Sequence, residues 1–186
     1  MINIPKFPVV IIASPRTGSG ALSNHLRNIY APITEFNEPD KNNKMEEFLK
    51  FYQSEMHWIL KILVSSVDQY PDMILSNKCF KIKNLRKNVV DQIASHYVAT
   101  KRSKWIYFSD TVSNETYNDL IDIDLDAIDT SIKWIQYDNK CLELIKTDIT
   151  VYYEDIEKYQ SFTEPTPKPQ NYNEVIETIK QRINNV

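Results

Sequence analysis

The chain holds only two glycines in 186 residues, Gly18 and Gly20. Every turn elsewhere must be made without the one residue that enters the left-handed backbone region freely. Both glycines stand in "SPRTGSG", residues 14–20, directly behind the apolar run "VVIIA", residues 9–13. A β-branched run bounded by prolines reads as a buried strand. Behind the loop, Leu22, Leu26 and Ile29 recur at i, i+4 and i+7 and predict a helix over about 18–30. Such a junction gathers unpaired N–H groups at the positive end of a helix dipole, a combination that favours phosphate. Gly18 is expected to let the backbone approach that anion with no Cβ in the way.

The remaining pattern continues the alternation. "ITEFNE", 33–38, reads as a short strand, and Met45, Phe48, Leu49 and Tyr52 share one helical face. "WILKILV", 58–64, leans to strand through its Ile, Val and Trp content. "CFKIKNL", 79–85, alternates and runs into a helix striped by Val90, Ile93, Ala94, Tyr97 and Val98. Residues 109–127 are acidic and polar and read as a surface excursion. A long helix is marked by Ile128, Ile132, Ile135, Leu142 and Ile145, and "ITVYYEDI", 149–156, reads as a strand leading to a turn. "TEPTPKPQ", 163–170, is a proline-rich connector to a final helix for which Asn173 is the expected N-cap. Alternating strands and helices predict one α/β domain over 1–186, a parallel sheet flanked by helices, with ligands at the strand C-terminal ends.

Charge sharpens the expectation. The formal net charge is −3, yet residues 78–104 carry eight Lys or Arg against Asp91 alone, a local +7, so the rest of the chain holds −10. An acidic domain with one basic segment meets a compact anion there rather than a nucleic-acid backbone. Aromatic residues at stacking spacing are missing from the segment, which further disfavours nucleic acid. No apolar stretch approaches the ~20 residues of a membrane span, and no export signal is evident. Cys79 and Cys141 lack metal-ligand spacing and read as buried thiols in a reducing, cytoplasmic compartment.

The loop departs from the ATPase pattern G-x-x-x-x-G-K-[ST]. With Gly18 as the second glycine, Ala13 stands at the first, Ser19 replaces the lysine and Gly20 replaces the Mg²⁺ ligand. The positive charge comes earlier, from Arg16. A nucleotide loop with an arginine and no dedicated metal ligand points away from phosphoryl transfer.

"PRTGSGAL" resembles the 5′-phosphosulfate loop of the sulfotransferases that use 3′-phosphoadenosine-5′-phosphosulfate (PAPS), in particular their bacterial and phage carbohydrate-type branch; Gly20 stands where Thr or Ser is commoner. "LRKNVVDQIASHYVATKRSKW" resembles the family's 3′-phosphate segment, with Ser95 eight residues after Lys87 and nine after Arg86. The family spacing favours Lys87 for the principal cation, with Arg86 beside it, and either can supply it. "VYYEDI" resembles a Tyr-Glu-Asp-Leu segment whose part is structural. The family's closing Arg-Lys-Gly loop has no counterpart beyond Lys168.

The resemblance implies a P-loop NTPase-like fold and sulfuryl transfer to a hydroxyl acceptor of carbohydrate type, with PAPS as donor, its bisphosphate PAP as product, and no metal. It assigns Arg16, Thr17, Gly18, Ser19 and Gly20 to the 5′ end of the donor and Arg86, Lys87 and Ser95 to the 3′-phosphate. Arg16 is the first catalytic residue, and the base that takes the acceptor proton is Glu35 or Glu38 in "TEFNEP". His25, His57 and His96 lie outside the family's base segment and read as packing or surface residues. Trp105 reads first as core, with closure over the adenine as the alternative. The competing expectations are a nucleoside-type kinase of the same fold and a nucleotide-binding module without turnover.

Overall fold

A computed structural model describes residues 4, 7–52, 57–70, 78–103, 119–156 and 168–184. The expectations placed on Lys104, Trp105, residues 109–118 and the connector before Lys168 lie outside them. In chain order the elements are β1 (Val9–Ala13), α1 (Ser19–Ile29), β2 (Thr34–Asn37), α2 (Met45–Tyr52), β3 (Trp58–Leu63), a 3₁₀ helix (Val64–Gln69), β4 (Phe80–Leu85), α3 (Val89–Lys101), α4 (Leu125–Leu144), β5 (Ile149–Tyr152), α5 (Tyr153–Ile156) and α6 (Tyr172–Asn184).

The five strands form one all-parallel sheet in the order β2-β3-β1-β4-β5. β1 is central, and all five of its residues are fully buried. That is why its sequence is continuously apolar rather than alternating: both faces of the strand are covered. On one face Val9 and Ile11 join Ile59, Ile82 and Val151 beneath Leu22 and Leu26 of α1. On the other, Val10 and Ile12 join Leu60, Ile62, Phe36 and Trp58 around Phe48 of α2. A third cluster packs α3, α4 and α6 together through Ile93, Tyr97, Ile128, Ile135, Val175 and Ile179.

Two local expectations are corrected. α6 begins at Tyr172, so Asn173 lies in its first turn rather than at its cap. The neighbouring Asn171 is engaged in tertiary contacts instead: its side chain accepts from the Ile121 N–H at 3.1 Å and donates to the Ile121 carbonyl at 2.8 Å. Cys79 is buried as expected, but Cys141 is only partly so, packed against the edge of the cluster around Phe48; both are free thiols. Among the described residues no helix is long and apolar enough to cross a membrane.

Because every strand runs the same way, their C-terminal ends share one edge. The 14–18 loop lies on it, as do the 3₁₀ helix and the starts of the segments after β2, β4 and β5.

Candidate functional site

The loop after β1 is held by its carbonyls. Thr17 Oγ1 donates to the Ser14 carbonyl at 2.9 Å, Gln92 Nε2 to the Pro15 carbonyl at 2.7 Å, and Arg86 Nη1 to the Arg16 carbonyl at 3.2 Å. Gln92 Nε2 also reaches Ser14 Oγ at 3.0 Å, and its own oxygen accepts from Asn139 Nδ2 at 3.2 Å. Gln92 is fully buried, so α3 and α4 are locked onto the loop through one side chain. The N–H groups are treated oppositely. Gly18 occupies the N-cap of α1 and supplies no side-chain cap. The first-turn N–H groups of Ser19, Gly20 and Ala21 therefore find no acceptor among the described residues.

Two residues of the loop lie in left-handed conformation, Arg16 at φ 64° and Gly18 at φ 71°. For an arginine that backbone is strained, and it persists because the surroundings over-determine it. Arg86 grips its carbonyl, and Arg16 Nε donates to Ser95 Oγ at 3.0 Å. Ser95 is 79 positions further along the chain. The structure thus joins the residues singled out in two separate motifs.

Gly18 has a different reason than expected. A Cβ there would stand 2.3 Å from Cδ2 of Tyr153, so its bare face is occupied by that ring rather than kept open for an anion. The same ring carries the Arg86 guanidinium 4.3 Å from its centroid. A Cβ on Gly20 would meet nothing within 4 Å, so Gly20 is the glycine with open space beside it.

Arg86 and Lys87 diverge. Arg86 is about nine-tenths buried against the loop and paired with Asp91. Asp91 in turn accepts from the Tyr172 hydroxyl at 2.7 Å and has Lys168 Nζ at 3.9 Å. Lys87 points to the β5 side, half-exposed, 3.4 Å from Asp155 and over the Tyr152 ring. Arg86 Nε and Asn84 Oδ1 are buried polar atoms with no partner among the described residues. Asn84 is level with Ala13 in the sheet. Unsatisfied polar groups are uncommon in folded interiors and concentrate where a ligand or solvent completes them.

The two glutamates also separate. Glu35 is level with Ile59 and so with Val9. That is five residues, or roughly 16 Å, below Ser14 along the strand direction. It packs under α1, accepting from Ser23 Oγ at 2.6 Å with Arg27 at 3.5 Å. Glu38 follows β2 directly, in left-handed conformation at φ 47°. Its N–H donates to the Lys61 carbonyl at 2.8 Å, and its carboxylate pairs with the buried Lys61 ammonium at 2.7 Å. Glu38 therefore stands at the strand C-terminal edge, and Glu35 does not.

Of the histidines, His96 borders the site. It is buried, its Nδ1 lies 3.1 Å from Ser131 Oγ, and its ring centroid is 5.7 Å from that of Trp134. Burial, and then the positive charge of Arg16, push its pKa down to about 4, so it is neutral at physiological pH. His57 stacks on Phe7, away from this edge. No group of three or more His, Cys, Asp or Glu stands ready to hold a metal ion among the described residues.

Sequence reasoning missed Gln92, Tyr153, Asp91 and Lys61. Tyr153 lies in the "VYYEDI" segment, whose similarity had carried only a structural expectation. The other three had no local signal, since each acts on a residue brought to it by the sheet. Comparison with protein-family models, curated proteins and solved structures finds nothing that matches this chain.

Proposed function

We propose that the chain is a PAPS-dependent sulfotransferase with a P-loop-like nucleotide site, acting on a hydroxyl acceptor of carbohydrate type. The observation that carries this reading is the Arg16–Ser95 hydrogen bond, which ties the arginine of the loop before an uncapped helix N-terminus to the second motif. The orphan N–H groups of Ser19 to Ala21 and the open side of Gly20 suit the 5′-phosphate of the donor. Of the residues expected at the 3′-phosphate, Ser95 stands beside Arg16, whereas Arg86 is engaged by Asp91 and Lys87 points outward; Lys168 approaches the same Asp91.

The donor supplies an activated sulfuryl group. The protein's part is positioning and charge. Arg16 and the first-turn N–H groups stabilise negative charge on the 5′-phosphate as the bridging bond breaks, and Glu38 takes the acceptor's proton. Lys61 orients that carboxylate from the buried side. Glu35, occupied by Ser23 and Arg27, is a structural residue in this account.

The test is release of PAP from PAPS in the presence of a panel of monosaccharide acceptors. Glu38→Gln is expected to lower turnover by about 100-fold or more, with Glu35→Gln near the native rate. Turnover of Mg²⁺-ATP in place of PAPS would support a kinase instead. A second reading, a nucleotide-binding module without turnover, is favoured by one observation: Asp91 already neutralises Arg86, the best-placed cation beside the loop after Arg16. It requires PAP binding with no PAP release under any acceptor.

A further inference from the structure

One side of α4 meets the loop through Asn139 and Gln92. On the opposite side Trp134, Tyr137, Cys141 and Leu144 follow one another at intervals of three, four and three residues, the a/d seam of a coiled coil. Trp134 is 49%, Tyr137 68% and Leu144 83% exposed, with Cys141 partly buried between them. Leu144 is the most exposed large apolar side chain among the described residues. At ~200 Å² for a whole aromatic side chain, the two rings leave roughly 200–250 Å² in water. With Leu144 the stripe reaches roughly 300 Å², the size at which a surface patch on a monomer is often functional.

The intervals read the same in both directions. Reversing the helix about the level of Asn139 exchanges Trp134 with Leu144 and Tyr137 with Cys141. A second α4 laid antiparallel on the first therefore sets each member of the stripe against another member.

The surface also carries a receptor for its own projection. Thr130, Lys133, Trp134 and Tyr137 stand at i, i+3, i+4 and i+7, the four sides of a hole on a helix surface, and with Ser65 they line a shallow, open groove. In the antiparallel register Leu144 of the second copy falls over the middle of that hole. Knob and hole lie on one helix, which is the self-complementarity a two-fold interface requires. A foreign partner gives no reason for a stripe that is its own reverse.

We propose that this face of α4 is a homodimer interface, occupied by a second copy of the chain with the two helices antiparallel and Leu144 of each seated between Trp134 and Tyr137 of the other. The proposal does not depend on the sulfotransferase reading. Its apolar centre is less than half of the ~800 Å² per partner of a standard interface. Lys133 and Lys140 also share one flank of the stripe, where like flanks meet in an antiparallel pair. The dimer is accordingly weak and reversible, with a dissociation constant in the micromolar range.

Sedimentation velocity on the full chain, over a concentration series through the micromolar range, tests this. The sedimentation coefficient is expected to rise with concentration towards that of a dimer. Leu144→Asp, at a side chain standing in solvent, should hold it at the monomer value with an unchanged circular dichroism spectrum. Tyr137→Cys reads the register: it sets a thiol opposite Cys141 of the other copy, so mild oxidation should give a covalent dimer on a non-reducing gel, whereas the native chain gives none. Within one helix the Cβ atoms of positions 137 and 141 are ~5–6 Å apart, beyond the ~3.5–4.5 Å of a disulfide, so the new bond joins two chains. A monomer at every concentration, a Leu144→Asp chain that associates like the native one, or a dimer without the Tyr137→Cys cross-link each overturns the proposal. No readout involves a nucleotide, so each result bears on the interface alone.

Discussion

A methyl group added at Gly18 and one added at Gly20 meet different surroundings. At position 18 it would enter the Tyr153 ring at 2.3 Å on a backbone of φ 71°, so clash and left-handed strain add. Gly18→Ala is expected to destabilise the fold by roughly 2–4 kcal/mol. At position 20 the methyl faces open space in the first turn of α1, where alanine is the better helix former. Gly20→Ala is expected to leave stability unchanged or raise it by about 0.5 kcal/mol. Urea denaturation of the two variants distinguishes them; equal effects would mean that Tyr153 does not rest on Gly18. The special status of the loop was legible from glycine placement, but the reason for Gly18 was not, because Tyr153 lies 135 positions away. Arg16 and Ser95 were legible because each sits in a recognisable local run, although no local rule says that they touch.

At the scale of elements, α3 does more than cover the sheet. Its first turns present Asp91 to Arg86, Gln92 to the Ser14 and Pro15 positions, and Ser95 to Arg16, so one helix face fixes one loop. Gln92 and Ser95 separate fold from binding. Gln92→Ala removes a fully buried amide with three partners and is expected to cost about 2–4 kcal/mol, read as a lower urea midpoint. Ser95→Ala loses one buried hydroxyl with a single partner among the described residues and should shift the midpoint by about 1 kcal/mol. A Gln92→Ala midpoint equal to the native one would show that the loop is not held from α3. The strands and helices themselves were readable from periodicity, as in the all-apolar β1 and the Val90–Val98 stripe. Which side chains meet across them depends on sheet order, and order is set by packing that no single segment encodes. Asn173 shows the same limit at small scale: the residue type suits a cap, but tertiary contacts at Asn171 and Ile121 decide where α6 starts.

At the scale of the molecule, the parallel sheet places the arginine loop and Glu38 along one edge, while Glu35 is left on the α1 face. The register puts the two glutamates in different places, since three residues along β2 are enough to move a carboxylate from the flank to the edge. Charge follows the same geometry. The basic segment from Lys78 onward does not present a uniform surface: Arg86 is turned inward to Asp91, and Lys87 outward to Asp155. Arg16 is the cation of the loop itself, and we propose that it grips a doubly phosphorylated adenosine without a metal. Isothermal calorimetry of PAP with the full chain in EDTA measures this directly. Binding in EDTA is expected, with Arg16→Ala weakening it by roughly 10- to 100-fold, the worth of one charge-assisted contact. Absence of heat at millimolar PAP, binding that appears only on adding Mg²⁺, or an Arg16→Ala affinity equal to the native one would contradict it.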